Sequence, residues 1–331
     1  MVIVIGATGF IGMYTVKALL EKGKKVLATG RNQKLGAKLM EMGADFFTLD
    51  ITNKEDYAKL PTEDVEGVIV LAGLLPANTT ADLKDVENAA DYFEVNVIGT
   101  VNILEYCRKN GIRKVISNCS YGDVSNAWGK KHPITEDEPR DFKFTGDHCV
   151  YVISRNAAND VMEYYNQQHG LQCAWFRFPP VYGVGPHGTY MVNGRPFKSG
   201  IATFIDRAKA GQDIEIWGNP HIKRDIIYVK DVAEAYCLAL ESEKTYGLYN
   251  MTGHIQVDLQ EQAEAVIDVF TEDKKSNIIY RPEKPNNTPT YLFSMDKAKR
   301  DFGFEPAYTN YLEMMKDYKK ELESGFWGDW N

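Results

Sequence analysis

Residues 2–6, VIVIG, are a short, uninterrupted apolar run rich in β-branched side chains, which reads as a strand buried on both faces. After a glycine-rich turn, MYTVKALLEKG (13–23) places apolar residues at helical spacing and stops at Gly23, a helix C-cap signal. The alternation then repeats: strand 24–30, helix 34–43, strands 45–50 and 67–73, a long helix 92–111, strand 113–120, helix 151–170 and strand 171–178. This order predicts an α/β fold with a doubly wound parallel sheet and helices on both faces. Past Phe178 the pattern changes. Residues 179–200 are rich in Gly and Pro and read as an ordered loop. A helix (201–211) and a strand (214–218) follow, then a strand–helix pair (224–242) expected to return to the first unit. From about Gly247, short strands and helices mix in a smaller C-terminal α/β lobe.

Composition narrows the function. The 331 residues are 44% hydrophobic and 25% charged, an ordinary globular balance. A formal net charge of −8 with no basic run argues against nucleic acid or an anionic membrane as partner. The five cysteines are scattered and odd in number, with no CxxC, and the six histidines form no HExxH or HxxxH pair. Neither a disulfide framework nor a metal site is expected, and reduced thiols fit a cytoplasmic protein. No charged leader and no long apolar span point to export or membrane insertion.

The chemistry starts at GATGFIG, where the first strand becomes the first helix. Gly6, Gly9 and Gly12 have GxxGxxG spacing: Gly6 for the tight turn, Gly9 for close approach of a pyrophosphate, Gly12 for helix–strand packing. Thr8, Phe10 and Ile11 complete the turn, and the helix N-terminus offers N–H groups and a positive dipole to phosphate. This is a Rossmann-like dinucleotide site. The acid that normally ends the second strand is replaced by Gly30, with Arg31 next, so NADP is favoured over NAD. The competing role for Arg31 is adenine stacking or plain solvation. Asp50, followed by Ile51, is placed to meet the adenine amino group; Asp50 or Thr52 would serve equally as a helix N-cap. The expected division is therefore a dinucleotide-binding domain, 1–178 plus about 226–245, and a substrate-binding lobe, about 179–225 and 246–331, with a ligand cleft between them.

Together with TLDIT, VIVLAG, NVIGTVNILE, NCSYG, YVISR, FRFPPVYGVG, IWGNPHIKRDIIYVKDVAEA and DKAKRDFGFEP, this turn resembles the extended short-chain dehydrogenases. The likeness is to their NAD(P)-dependent nucleotide-sugar epimerase/dehydratase branch, and it runs almost end to end. The resemblance implies roles. Ser120 matches the residue that hydrogen-bonds the reacting sugar oxygen, and Tyr151 the catalytic proton donor or acceptor. Asn96 matches the residue near the nicotinamide, Ala72 and Gly73 the backbone beside the adenosine ribose, and Arg224 the grip on the substrate diphosphate. It also implies a homodimer pairing helices 92–109 and 151–168. Each residue has a structural alternative: a turn serine for Ser120, a core aromatic for Tyr151, an ion pair with Asp225 or Asp231 for Arg224. Two positions depart from the family. Pro180 stands where an Asn contacts the substrate phosphates, and Arg155 stands where a Lys follows the Tyr by four residues.

Positions i and i+4 share a helix face, so Arg155 can still lower the pKa of Tyr151, which is about 10 when unperturbed. The leading expectation is an enzyme that epimerises C4 of a nucleotide sugar or reduces a 4-keto sugar, with Tyr151 as acid/base and Ser120 and Arg155 assisting. The alternatives are a non-catalytic NADP-binding sensor and a reductase of a non-nucleotide carbonyl.

Overall fold

The computed structural model describes residues 1–76, 89–146, 148–192, 195–286 and 289–327. The strands and helices of the first half are β1 (Val2–Ile5), α1 (Phe10–Glu21), β2 (Val26–Gly30), α2 (Gln33–Glu41), β3 (Asp45–Thr48), β4 (Gly67–Val70), α3 (Ala89–Phe93), α4 (Gly99–Lys109), β5 (Lys114–Asn118), α5 (Cys149–His169) and β6 (Gln172–Arg177). The second half adds β7 (Val181–Tyr182), β8 (Thr189–Val192), β9 (Arg195–Lys198), α6 (Gly200–Lys209), β10 (Ile214–Trp217), β11 (Arg224–Tyr228), α7 (Val229–Glu241), β12 (Gly247–Asn250), β13 (Ile255–Val257), α8 (Leu259–Phe270), β14 (Ile278–Arg281), α9 (Asp296–Phe302) and α10 (Tyr311–Glu323).

Seven strands form one parallel sheet in the order β12-β6-β5-β4-β1-β2-β3. The α/β, Rossmann-like reading is correct. Strand β1 shows why. Val2 and Val4 enter one apolar core with Met13 and Val16 of α1 and Val232 of α7, while Ile3 and Ile5 enter another with Ile103 and Leu104 of α4 and Met162 of α5. A strand covered on both faces has no polar side to alternate with, hence the unbroken apolar run. The chain winds outward through β2 and β3, then returns to place β4 on the other side of β1. The carboxyl ends of β1 and β4 therefore border the crevice where doubly wound sheets bind ligands.

Three details differ from expectation. The stretch 179–200 is not a loop. It holds β7, which pairs in parallel with β11, and the antiparallel hairpin β8–β9. Strands this short carry no readable period. Of the 226–245 stretch expected to return, α7 packs on α1 while β11 lies in a three-stranded sheet with β7 and β13, and the parallel sheet takes its outer strand from 247–250. The long helix 92–111 is interrupted by a wide π turn over Glu94–Ile98. Such turns often sit at functional sites, and this one turns the Asn96 side chain toward Leu74. No described helix is long and apolar enough to cross a membrane.

Two buried carboxyls tie the C-terminal segments to β11 and α7. Asp225 on β11 accepts the Phe293 N–H at 2.7 Å, and Asp231 in the first turn of α7 accepts those of Ala307 and Tyr308 at 2.8 and 3.2 Å. Burial pushes Asp225 up to about 7 and Asp231 to about 6, against an ordinary 3.8. Between about pH 4 and 7 the unfolded chain releases protons that the folded chain retains, so rising pH favours unfolding. This contribution is fully present below the unfolded value and gone above about 7. The urea midpoint should fall from pH 5 to pH 8, and Asp225→Asn, which keeps the acceptor oxygen, should flatten the fall. An identical slope in that variant would contradict the assignment.

Candidate active site

The turn after β1 is built for something bulky and anionic. Gly6 has φ +85°, in the left-handed region, and a Cβ there would sit 2.7 Å from the carbonyl carbon of Leu71. A Cβ on Gly12 would sit 2.7 Å from Ala7 Cα, so only glycine lets α1 approach β1 this closely. Gly9 is the N-cap of α1, with no side chain capping the helix and no acid in its first turn. The leading N–H groups of a twelve-residue helix are thus left for a ligand. Phe10 is steadied from behind by Tyr14 and Trp327, at ring distances of 6.0 and 6.5 Å.

These groups open into a cavity of about 550 Å³. Its wall contains every cofactor position proposed from the sequence except Asn96, Tyr151 and Arg155. Gly6, Thr8, Gly9, Phe10, Ile11 and Gly12 of the turn line it together with Arg31, Asp50 and Ile51, which follow β2 and β3, and Ala72 and Gly73, which follow β4. Next to Arg31, Gly30 packs on Thr8: a Cβ at residue 30 would lie 2.9 Å from Thr8 Cγ2, closer still to its hydroxyl. The Asp50 carboxylate accepts both the N–H and the hydroxyl of Thr52, at 3.0 and 2.8 Å. The Thr52 N–H, with the Arg31 charge adding to it, holds the carboxyl below its ordinary range. The N-cap of the following turn is Asn53, not Asp50 or Thr52.

Beyond Ala72 and Gly73 the site is tied together by buried polar side chains. Asn96, 1% exposed, accepts the Leu74 N–H (2.8 Å) and donates to the Leu74 carbonyl (3.1 Å) and Ser154 Oγ (3.0 Å). It thereby fixes the segment after β4 against α5. Ser120 begins the turn after β5, its oxygen accepting the Gly122 N–H at 3.1 Å. A Cβ on Gly122 would lie 3.2 Å from both Ser120 Oγ and Val152 Cγ2, so this turn rests on the first turn of α5 beside Tyr151. Tyr151 is 9% exposed, and its phenol hydrogen-bonds to none of the described residues. Burial raises its pKa and the Arg155 charge opposes the rise. Arg155, 3% exposed, donates through Nη2 to both the carbonyl and the side-chain oxygen of Asn118 at the end of β5.

Underneath, Arg177 at the end of β6 pairs with Asp123 at 2.8 Å and donates to Asn250 at 3.1 Å, both partners buried. Asp123 lies in the Ser120 turn, so this ion pair anchors the turn from below. Arg224 is different. It reaches Tyr182 OH at 3.2 Å and pairs with no carboxylate among the described residues; its Nε is buried without a partner. Asp225 and Asp231 are committed elsewhere, so the structural pairing considered for Arg224 does not occur.

The sequence pattern of the NAD dependent epimerase/dehydratase family matches residues 2–252. The chain belongs to that family. Over 320 residues it is 29% identical to a Methanocaldococcus jannaschii protein provisionally named a UDP-glucose 4-epimerase, covering 92% of this chain and 93% of that one. It is 26% identical to a dTDP-4-dehydro-6-deoxy-D-allose reductase of Streptomyces over 313 residues, 92% and 91% of the two chains. Among solved structures it resembles the NAD complex of the Thermus thermophilus UDP-glucose 4-epimerase, with a TM-score of 0.74, 25% identity and 99% of each chain covered. The UDP-glucose 4-epimerase of Thermotoga maritima shares its fold, with a TM-score of 0.78, 22% identity and 98% of each chain covered.

For a member of this enzyme family, two features were missed in the sequence. Asn118 gave no signal beyond its place at the end of a strand, and the Asp123–Arg177 pair joins residues 54 positions apart. Pro180, the departure in the FRFPPVYG stretch, uses its carbonyl to accept the Ile227 N–H at 3.3 Å.

The packing of Gly30 on Thr8 makes a prediction. Gly30→Asp, the acid usual at this strand end, should weaken NAD and NADP alike by about tenfold or more, because its Cβ bears on Thr8. Adding Thr8→Gly should restore NAD binding but not NADP binding. Calorimetric titration of both variants checks this; a single Gly30→Asp variant that binds NAD better than the native chain would contradict it.

Proposed function

We propose that the protein is an NADP-preferring enzyme that acts at C4 of a nucleotide-linked sugar, as a 4-epimerase or a 4-keto-sugar reductase. The carrying observation is Arg224, a largely enclosed cation with no carboxylate partner among the described residues. A diphosphate supplies the missing anion through charge-assisted hydrogen bonds. The names of the Methanocaldococcus and Streptomyces relatives agree with this substrate class.

The glycine cradle and the uncapped α1 fit a dinucleotide, with Gly6, Gly9 and Gly12 against the pyrophosphate. A nicotinamide nucleotide bound there supplies hydride acceptance and return. The protein handles the proton. Buried, with its pKa raised, Tyr151 carries its proton at neutral pH and donates it to a sugar carbonyl oxygen, becoming a tyrosinate beside the Arg155 charge; in the oxidative direction that tyrosinate takes the proton from the hydroxyl. Ser120, its oxygen occupied by the Gly122 N–H, donates its own hydrogen to the same sugar oxygen. The Arg155 charge keeps the Tyr151 pKa from rising further. Asn96 sets the wall that the nicotinamide meets, and Arg31, with no acid at Gly30, favours the 2′-phosphate of NADP.

Tyr151→Phe should remove nearly all turnover on the active member of a panel of UDP-, GDP-, CDP- and dTDP-sugars, read by NMR and nicotinamide absorbance. Arg224→Ala should raise KM about tenfold or more while leaving cofactor affinity unchanged, and Arg155→Met should move the basic limb of the pH–rate profile upward. A native protein that binds none of the four nucleoside diphosphates would end the nucleotide-sugar reading. A Tyr151→Phe variant as active as native would end the acid/base assignment. Arg31→Ala should erase the preference for NADP; equal native affinities for NAD and NADP would refute it.

We further infer a homodimer formed through helices 92–109 and 151–168. Phe93, Ile98 and Tyr164 stand exposed on them. Sedimentation showing a single chain at micromolar concentration would exclude it.

A further inference from the structure

Arg155 raises a geometric problem. The Nη2 of its guanidinium is taken up by two oxygens of one residue, the carbonyl and Oδ1 of Asn118. Its Nη1 lies against Gly73, 3.1 Å from where a Cβ would be, and its Nε is buried without a partner. Arg155 itself does not line the cavity, whereas Asn118 and Gly73 do. The cation sits behind the wall rather than in it.

The orientation of Asn118 then follows from donor chemistry. A guanidinium has five N–H donors and no acceptor, so the Asn118 atom facing it must be the oxygen. The Nδ2 amide is turned the other way. It donates to none of the described residues, yet it is not among the buried polar atoms that lack a partner, so solvent reaches it. A fixed N–H donor with open hydrogen-bonding capacity therefore belongs to a residue of the cavity wall at the carboxyl end of β5, near Gly73. Gly73 itself packs against Arg155 and Asn96, the residues expected at the nicotinamide end, and so lies there and not at the adenosine ribose, where the resemblance put it.

We propose that Asn118 presents the hydrogen-bond donor for the nicotinamide half of the cofactor, and that Arg155 is the positioning residue that locks this amide in its donating orientation. A Lys at residue 155 would offer one ammonium to the ribose directly. Here the charge stays behind the wall, beside Tyr151, and donation passes to Asn118. Two tasks that one ammonium can combine are divided between two side chains, and the planar fork of Arg suits holding two oxygens of one residue. This inference rests on the dinucleotide reading of the cavity and not on the identity of the sugar, so its test uses no sugar.

The test titrates NADPH, NAD⁺ and ADP into the native protein and its variants by calorimetry, with thermal melting to establish that each variant is folded. Asn118→Ala should weaken both nicotinamide nucleotides about tenfold, the scale of one well-placed hydrogen bond, and leave ADP unchanged because ADP lacks the nicotinamide half. Asn118→Asp should show the same selective loss: its carboxylate still receives Arg155 but offers no N–H. Arg155→Lys should cost as much in the native background and almost nothing when added to Asn118→Ala, since it acts through the amide. The proposal is overturned if either Asn118 variant binds NADPH as the native protein does. It is equally overturned if ADP weakens as much as NADPH, or if the cost of Arg155→Lys is the same with and without Asn118. Failure of every sugar in the substrate panel would leave these outcomes unaffected.

Discussion

The close approach of α1 to β1 and β4 is the constraint on which the site depends. β1 is hydrogen-bonded to β2 on one side and β4 on the other, so its carboxyl end must leave the sheet between two occupied neighbours. Only a chain without side chains at Gly6 and Gly12 can make that exit and start a helix at once. The space those missing side chains leave, with the unpartnered N–H groups of the helix start, becomes the anion cradle. Fold and binding site are here the same steric fact, and the rest of the cavity is arranged around it.

Three arginines, at the carboxyl end of β6, on α5 and at the start of β11, show how burial sorts charges. Arg177 has a buried carboxylate, Asp123, and both are fully enclosed. It stiffens the Ser120 turn through Nη2 and holds Asn250 through Nη1, while its Nε stays buried without a partner. Arg155 is equally enclosed but faces only neutral oxygens, and Arg224 faces tyrosines. A buried ion without a counter-ion is costly to maintain unless something compensates it. Neither Arg155 nor Arg224 has a carboxylate among the described residues to compensate it.

Much of this was legible in the sequence because it is local. The apolar run at 2–6, the glycine spacing and the i, i+4 relation of Tyr151 and Arg155 need no knowledge of distant residues. Asn96 was found by resemblance, but its bonds to Leu74 and Ser154, and the wide turn that aims it, depend on residues 22 and 58 positions away. Asn118 was missed for the same reason: an asparagine at a strand end means nothing until a guanidinium from α5 faces it. The hairpin at 189–198 and the two-residue strand β7 escaped because their order comes from pairing with neighbours rather than from their own side-chain pattern.

The outermost parallel strand, β12, pairs with β6, yet some seventy residues of chain separate them, including α6, β10 and α7. During synthesis the first six sheet strands emerge well before the seventh, and until then β6 is an open edge able to pair with any other extended chain. Contacts this distant in sequence slow folding, and their lateness exposes the intermediate to aggregation. The two halves are therefore not separable pieces. A chain that stops anywhere before residue 250 carries an unfinished sheet, its β6 edge unpaired.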